Sequence, residues 1–502
     1  MTGVSDRPAA GIRTAEPTRT VEPARASQPT WASRLSWLRE RGMGATILVA
    51  ALTAAFGVIL VEVTGYIGGA LQADPFLGDS ETLALVVSIL TVLLVGVAMY
   101  VAAMVTANTF ATIITGRMRR IALLRLIGAS ARAQRAEVAG QGFVVGLIGA
   151  VIGLGVGLGV SGLGVVAGER MLALTPDEFT LFTPGILAPA VGVALTTWLA
   201  AHVGSRRVLT VTPLEALGGS VERTREEVST RRGARIASLV MLVLGSALLA
   251  GGVLIGLYLP LGVVVAFFGG VLSFTGLVIG ADRVMPPVLR LVGRMFGRGA
   301  TARLAAENAL RHPERSSRMT IGVVMGVALV TMFAVALQSV KALLVRGTEG
   351  VPAEMFAPID AFVTVMMVLV AVSAVIAGVG LVNLLTIGVV QRTRELGLLR
   401  AIGLTARQVR RMVLLEAVHI TVAATLTGLV VGNLYGWIAA QSLLGSIRLP
   451  PDFEPAGFVL PAVPWGPVAV IVVATAVLTA LAAVTPTRLA TRVAPVEALA
   501  AV

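Results

Sequence analysis

A charged segment occurs twice in this chain, each time between two long apolar runs, and nothing else in the sequence constrains the fold as much. The first copy, Arg117 to Arg135, reads R-M-R-R-I-A-L-L-R-L-I-G-A-S-A-R-A-Q-R, and the second, Arg392 to Arg411, reads R-T-R-E-L-G-L-L-R-A-I-G-L-T-A-R-Q-V-R-R. At the shift that carries Arg117 onto Arg392, the residues Arg117, Arg119, Leu123, Leu124, Arg125, Ile127, Gly128, Ala131, Arg132 and Arg135 each meet an identical residue. In the second copy Leu396, Leu399 and Ile402 follow helical spacing, while Arg394, Glu395 and Arg400 fall elsewhere on the circumference. Gly403 predicts a stop to that helix and Thr405 a cap for the next. A repeat that carries its flanking apolar runs with it is a duplicated membrane unit.

Composition agrees. Of 502 residues, 56% are hydrophobic and 13% charged, with a mean hydropathy of +0.89, which is the range of a polytopic membrane protein. The net charge of +13 comes from Arg residues at the ends of apolar runs, the pattern of cytoplasmic positive-inside loops rather than of nucleic-acid binding. With no Cys there is no disulfide framework, zinc-thiolate site or cysteine nucleophile. The single lysine, Lys341, is followed by Ala342, so the phosphate-binding G-x-x-x-x-G-K-[ST] loop cannot be present and any ATP hydrolysis must come from another polypeptide. His202, His312 and His419 are scattered, without H-E-x-x-H spacing, and no G-x-S-x-G elbow occurs; neither metal nor serine catalysis is supported.

Hydropathy predicts an all-α polytopic membrane protein with spans at roughly 45–70, 82–115, 137–167, 184–204, 235–257, 261–281, 318–344, 358–390, 412–444 and 464–485, which is about ten transmembrane helices. Arg-rich connections fall at 117–135, 206–235, 283–318, 392–411 and 488–492, whereas the alternate connections carry Asp79, Glu81, Asp177, Glu178, Glu349, Glu354, Asp452 and Glu454. Both termini are therefore expected in the cytoplasm. Residues 1–30 read as a disordered cytoplasmic tail, and Trp31, Leu35 and Leu38 as one face of an interfacial helix. Residues 31–219 form the first four-helix repeat and 301–502 the second. Residues 220–300 hold a linker, a central two-helix hairpin, and a basic amphipathic helix with Val288, Leu291, Val292 and Met295 on one side and Arg290, Arg294 and Arg298 recurring beside them. The second and eighth spans are long enough, at about 50 Å as helices, to project into the cytoplasm as stalks.

Asn108 and Asn383 match at the repeat shift, deep in apolar runs; an intramembrane polar residue is a functional candidate or an interhelical hydrogen bond. Gly153 and Gly157 match Gly428 and Gly432, with Gly149 and Gly436 extending the four-residue spacing that lets helix backbones approach, for packing or as a flexing point for gating. Glu62, in the first span, is a candidate proton or cation site. Glu416 is matched by neutral Gln141. Thr212-Pro213-Leu214-Glu215-Ala216-Leu217 and Ala494-Pro495-Val496-Glu497-Ala498-Leu499 close the two repeats alike, Pro at a helix start followed by Glu in its first turn.

Taken together, R-x-R-E-x-G-L-L-R-A-I-G after a long span, a Gly-rich span next and a P-V-E-A-L ending resemble the FtsX-like permease domain of MacB-type (type VII) ABC transporters, over about 80–219 and 358–500. Arg303 to Arg315 resembles the segment before the first span of such a unit. The duplicated form with a central hairpin is similar to the ten-span permeases of bacitracin-type peptide exporters. The resemblance implies that the charged segments are coupling helices seated on a separate P-loop ATPase, with Arg117, Arg119 and Arg125 and, in the second copy, Arg392, Arg394, Glu395 and Arg400 lining or supporting the contact. It also implies two ATPase copies per permease chain, ATP and Mg on that partner and no cofactor on this chain, and placement among the lipids of a bacterial cell (inner) membrane. Two departures stand out. Arg120 replaces the family's Glu in the first copy, and the connections near 72–81 and 345–357 are too short for the large extracytoplasmic domain such permeases often carry. The leading expectation is a permease that exports or extracts a lipophilic or amphipathic substrate (peptide, lipid or drug). A non-transporting regulator of an envelope enzyme and an ion-coupled secondary exporter are the alternatives.

Overall fold

A computed structural model describes residues 43–72, 130–172, 184–205, 232–295, 299–311, 313–346, 403–449 and 454–492, together with scattered positions between 85 and 128 and at 398 and 400. The described residues form helices α1 (Met43–Gln72), α2 (Ala131–Leu172), α3 (Leu187–Gly204), α4 (Arg232–Gly256), α5 (Gly262–Ile279), α6 (Ala281–Gly293), α7 (Ala300–Arg311), α8 (Pro313–Arg346), α9 (Ala406–Leu444) and α10 (Trp465–Arg492). The protein is an all-α polytopic membrane protein. Among the described residues seven helices are long and apolar enough to cross a membrane, and they coincide with the first, third, fourth, fifth, sixth, seventh and ninth hydropathic runs. The tenth run is helical in α10, whose described apolar stretch, Trp465–Val477, is shorter than a span. The second run has only scattered described positions, and the eighth lies outside the described residues, as do the expected tail, the stalks and the two closing P-x-E-A-L segments.

Helix is what these sequences must form in an apolar solvent, because every backbone group then pairs within its own segment. Several hydroxyl side chains inside the spans obey the same demand. Thr53, Thr64, Thr320, Ser339, Thr475 and Thr479 each donate to the carbonyl four residues back, so burying them strands no donor. Helices α2 and α9, with 42 and 39 residues, are about 60 Å long and outrun the hydrocarbon thickness. At their N-terminal ends Arg132, Ala133, Arg407, Gln408, Arg410 and Arg411 are exposed, and α2 also continues past its apolar stretch, which ends at Val166, to Leu172.

The two halves pack alike. In the first, α1 lies against α2 through glycines: a Cβ added at Gly157 would come within 2.8 Å of the Val58 Cβ and 3.1 Å of the Ala55 carbonyl oxygen. In the second, Gly432 meets Thr331 and Ala328 of α8 at 2.6 Å in the same way. Gly153 opposite Ala54 and Gly428 opposite Val327 form the preceding turn of each seam. So α9 repeats α2 at the shift of the charged segments, Gly157 to Gly432, and α8 repeats α1 at a slightly shorter one, Val58 to Thr331. Without side chains between them the backbones reach close van der Waals range, which holds helices together where there is no hydrophobic drive to do so.

Between the halves α4 and α5 form a hairpin, again sealed by small residues, with Gly252 of α4 against Ala266 and Gly276 of α5 against Leu242 and Met241. Two phenols tie α5 to its neighbours. The Tyr435 hydroxyl of α9 lies 2.6 Å from the Ser273 hydroxyl, and the Tyr100 hydroxyl from the first half lies 2.9 Å from that of Thr275. After the hairpin, α6 buries Met285, Leu289 and Val292 in the main apolar core with Val324, Val327, Ala328, Ile420 and Ala424. Of the expected apolar line Val292 is buried, while Leu291 and Met295 are exposed beside Arg290 and Arg294; Arg298 lies outside the described residues. The reason is that α6 packs against α8 and α9 on its Met285–Leu289–Val292 line, offset round the helix from the line the arginines suggest, and leaves a mixed basic and apolar strip outward. His419 of α9 fixes the join by donating from Nε2 to the Leu289 carbonyl at 2.6 Å.

Candidate coupling elbows

Each charged segment contains a glycine with a left-handed backbone. Gly128 has φ +106° and Gly403 φ +109°, values that a residue with a Cβ adopts only at a cost. The chain reverses there and a new helix starts shortly after. Ser130 caps α2 by accepting from the Ala133 backbone N–H at 3.1 Å. Thr405 caps α9 by accepting from Gln408 N–H at 3.3 Å, while the Gln408 carboxamide accepts from the Thr405 N–H at 2.9 Å, a reciprocal capping box. Ser130 and Thr405 stand at matching places in the repeat, and so do Ala131 and Ala406, where the two helices begin. Sequence reasoning anticipates Gly403 and Thr405; it misses the Ser130 cap, although the repeat shift places it opposite Thr405.

The elbows present apolar residues to the outside. Leu123 is 50% exposed and its repeat partner Leu398 52%, and Leu126 and Ile127 are exposed as well. Arg400 is half-buried. Arg117, Arg119, Arg125, Arg392, Arg394, Glu395, Asn108 and Asn383 lie outside the described residues. Gly153, Gly157, Gly428 and Gly432 sit in the two seams described above.

Behind each elbow the helix start is anchored. Arg135, one turn into α2, donates from Nη2 and Nε to the His202 carbonyl at 3.1 and 3.3 Å, meeting the free carbonyls at the C-terminus of α3 with a cation. In the second half α7 does the anchoring, burying Ala305 against Val409, Met412 and Val413 of α9. There the Asn308 carboxamide donates to a Glu416 carboxylate oxygen at 2.8 Å, which assigns a partner to a residue that sequence alone leaves at the membrane boundary; its counterpart Gln141 is buried too. At the opposite end of α9 a two-strand hairpin, β1 (Arg448–Leu449) and β2 (Glu454–Pro455), pairs antiparallel. Gln441 holds the chain after it, accepting from Val459 N–H at 2.6 Å and donating to the Gly457 carbonyl at 2.7 Å. Among the described residues no three His, Asp or Glu side chains converge as metal ligands would.

Comparison with known proteins matches the C-terminal domain model of FtsX-like permeases twice, at residues 92–213 and 367–495. The starts of the two matches are related by the same shift as the charged segments, and together the matches cover half of the chain. Among similar proteins, one described as the macrolide export ATP-binding/permease protein MacB of Rhodopirellula baltica is 28% identical over 141 residues, 26% of this chain and 17% of that protein. An uncharacterized ABC transporter permease of Bacillus subtilis, YknZ, is 31% identical over 81 residues, 16% of this chain and 20% of that one. The pyoverdine export ATP-binding/permease protein PvdT of Pseudomonas entomophila is 36% identical over 66 residues, 13% of this chain and 10% of its own length. The chain thus spans no more than a fifth of these relatives.

Proposed function

The chain belongs to the FtsX-like permease family, and from that premise we propose that it is the membrane-spanning subunit of an ABC transporter, driven by ATPase subunits on other chains. The observation that carries the reading is the matched pair of elbows: two glycine-ended turns of nearly equal φ, each presenting an exposed leucine, Leu123 or Leu398, beside a run of arginines. Exposed apolar anchors among Arg residues are what a protein partner buries at the centre of an interface. Each elbow seats on one ATPase, so one permease chain serves two copies, and ATP and Mg stay on those copies. Both elbows and both termini face the cytoplasm of a bacterial cell membrane.

Closure of the ATPase pair pushes the elbows; the capped helices α2 and α9 run without a break from them into the bundle and move as levers against α1 and α8. A lipophilic or amphipathic substrate passes between the halves or leaves the far leaflet. Co-purification of the full chain with its ATPase, followed by ATP hydrolysis in nanodiscs, tests this. Leu123→Ser with Leu398→Ser is expected to weaken association about tenfold or more, in line with loss of buried interface anchors. Arg125→Ala and Arg400→Ala are expected to leave the ATPase bound and its hydrolysis no longer stimulated. Undiminished association and stimulation in all of these variants would refute the proposal.

A further inference from the structure

The first half contains a buried polar pair that the second lacks. Glu62 in α1 and Ser161 in α2 are each 3% exposed. Both Glu62 carboxylate oxygens and the Ser161 hydroxyl are without a hydrogen-bond partner among the described residues. The glycine seam brings them to one level. Gly157 faces Val58, and one further turn on both helices, which run in the same direction along the seam, reaches Ser161 and Glu62. In the second half the same step from Gly432 and Thr331 reaches Gly436 and Val335, where a Cβ added to Gly436 would meet the Val335 Cβ at 2.9 Å. One half is sealed at this turn by valine and glycine; the other places a carboxyl and a hydroxyl there.

An ionised carboxylate does not persist unpaired in such surroundings; it holds a proton or a cation. The donor set decides which cation. One carboxylate and one hydroxyl are far short of the six to eight oxygens that calcium takes, or of magnesium's octahedron, whereas an ammonium group has three donors and a single charge for such acceptors. Depth agrees with this. Glu62 lies about 24 Å along the helix from Thr46, where the span Thr46–Tyr66 begins, and so near the end remote from the elbows. That is the level of an amphiphile's polar head, and the exposed Val156, Val160 and Leu163 of α2 offer a flank for its chain. Arg132, Arg135, Glu137 and His202 lie at the other end, whereas Glu169 and Arg170 follow Ser161 on α2 by about two turns.

We propose that Glu62 and Ser161 form a binding site for the ammonium group of an amphipathic amine, loaded when the α1–α2 seam parts at that end. The site rests on the transport reading for its purpose alone: binding needs no ATPase, so failure of amine binding and failure of ATPase coupling are separate results. The test uses the full chain in nanodiscs of phosphatidylcholine, a lipid without a primary amine. Dicyclohexylcarbodiimide labels protonated carboxyls in apolar sites, and mass spectrometry reads its adduct at Glu62. Dodecylammonium chloride is expected to slow labelling at least fivefold and dodecanol to leave it unchanged. Ser161→Gly, the residue of the second half, is expected to lower that protection severalfold while labelling persists. In equilibrium binding of radiolabelled dodecylamine, Glu62→Val, again the second half's residue, is expected to bind at least tenfold less. Absence of labelling without amine, equal protection by dodecanol, or no protection by either (a site for protons only) would overturn the proposal, as would unchanged amine binding in Glu62→Val.

Discussion

Three glycines of one kind of helix should respond to alanine with opposite signs. At Gly153 the new methyl would sit 2.5 Å from the Ala54 Cβ and 2.8 Å from the Ala55 nitrogen. An ordinary carbon contact is about 3.5–4.0 Å, so relief requires α1 and α2 to part by about 1 Å, a gap that forfeits roughly a quarter to a half of each facing dispersion contact. Overpacking of this kind costs about 1–3 kcal/mol. At Gly432 the methyl would meet the Thr331 Cβ and the Ala328 oxygen, both at 2.6 Å, with a similar cost in a separate seam. Since the two sites share no partner, the double variant should lose about 2–6 kcal/mol by addition. Gly155 lies on the opposite face of α2 with nothing within 4 Å, so alanine there gains helix propensity of up to about 1 kcal/mol. Thermal unfolding of the purified chain in one detergent, followed by intrinsic fluorescence, measures these proteins side by side. The expected order of midpoints is Gly155→Ala at or above wild type, then each seam variant, then the double. If Gly153→Ala melts with Gly155→Ala, the close backbone approach of α1 and α2 is refuted.

Gly403→Ala meets no neighbour within 4 Å, so its whole effect is the strain of φ +109°, about 1–2 kcal/mol. Faster amide hydrogen exchange in the first turn of α9, with the spans unchanged, is the expected result, and Gly128→Ala should do the same for α2. Glu416→Gln keeps an acceptor for the Asn308 carboxamide and installs what the first half has at Gln141, so stability should hold. Glu416→Leu deprives that half-buried donor of its partner at a cost of about 0.5–1.5 kcal/mol, visible as a lowered unfolding midpoint.

What the sequence discloses and what it hides follow from range. The duplicated elbow, its Gly403 stop and its Thr405 cap are local chemistry, set by residues within a turn of one another, and the structure has them where spacing puts them. The glycine rows are legible as small-residue spacing, yet which side of α2 meets α1 is not: Gly153 and Gly155 are near neighbours in sequence and only contact with Ala54 distinguishes them. Which apolar residues of α6 enter the core is hidden in the same way, because the choice of Leu289 over Leu291 for burial is made by α8 and α9, elements distant along the chain. The same holds for Asn308 with Glu416, separated by 108 positions, and for the leucines at the elbows, whose exposure no periodicity reveals.

The phenols that reach α5 make the halves non-interchangeable. Tyr100 has Val375 at its place in the other repeat, and Tyr435 has Val160, so each half brings a different bolt to a different hydroxyl of the same helix, at Thr275 and Ser273. Two copies of either half would duplicate one bolt and lack the other. Ser273 and Thr275 lie within one turn of α5, so the two halves meet a shared support through unlike joints.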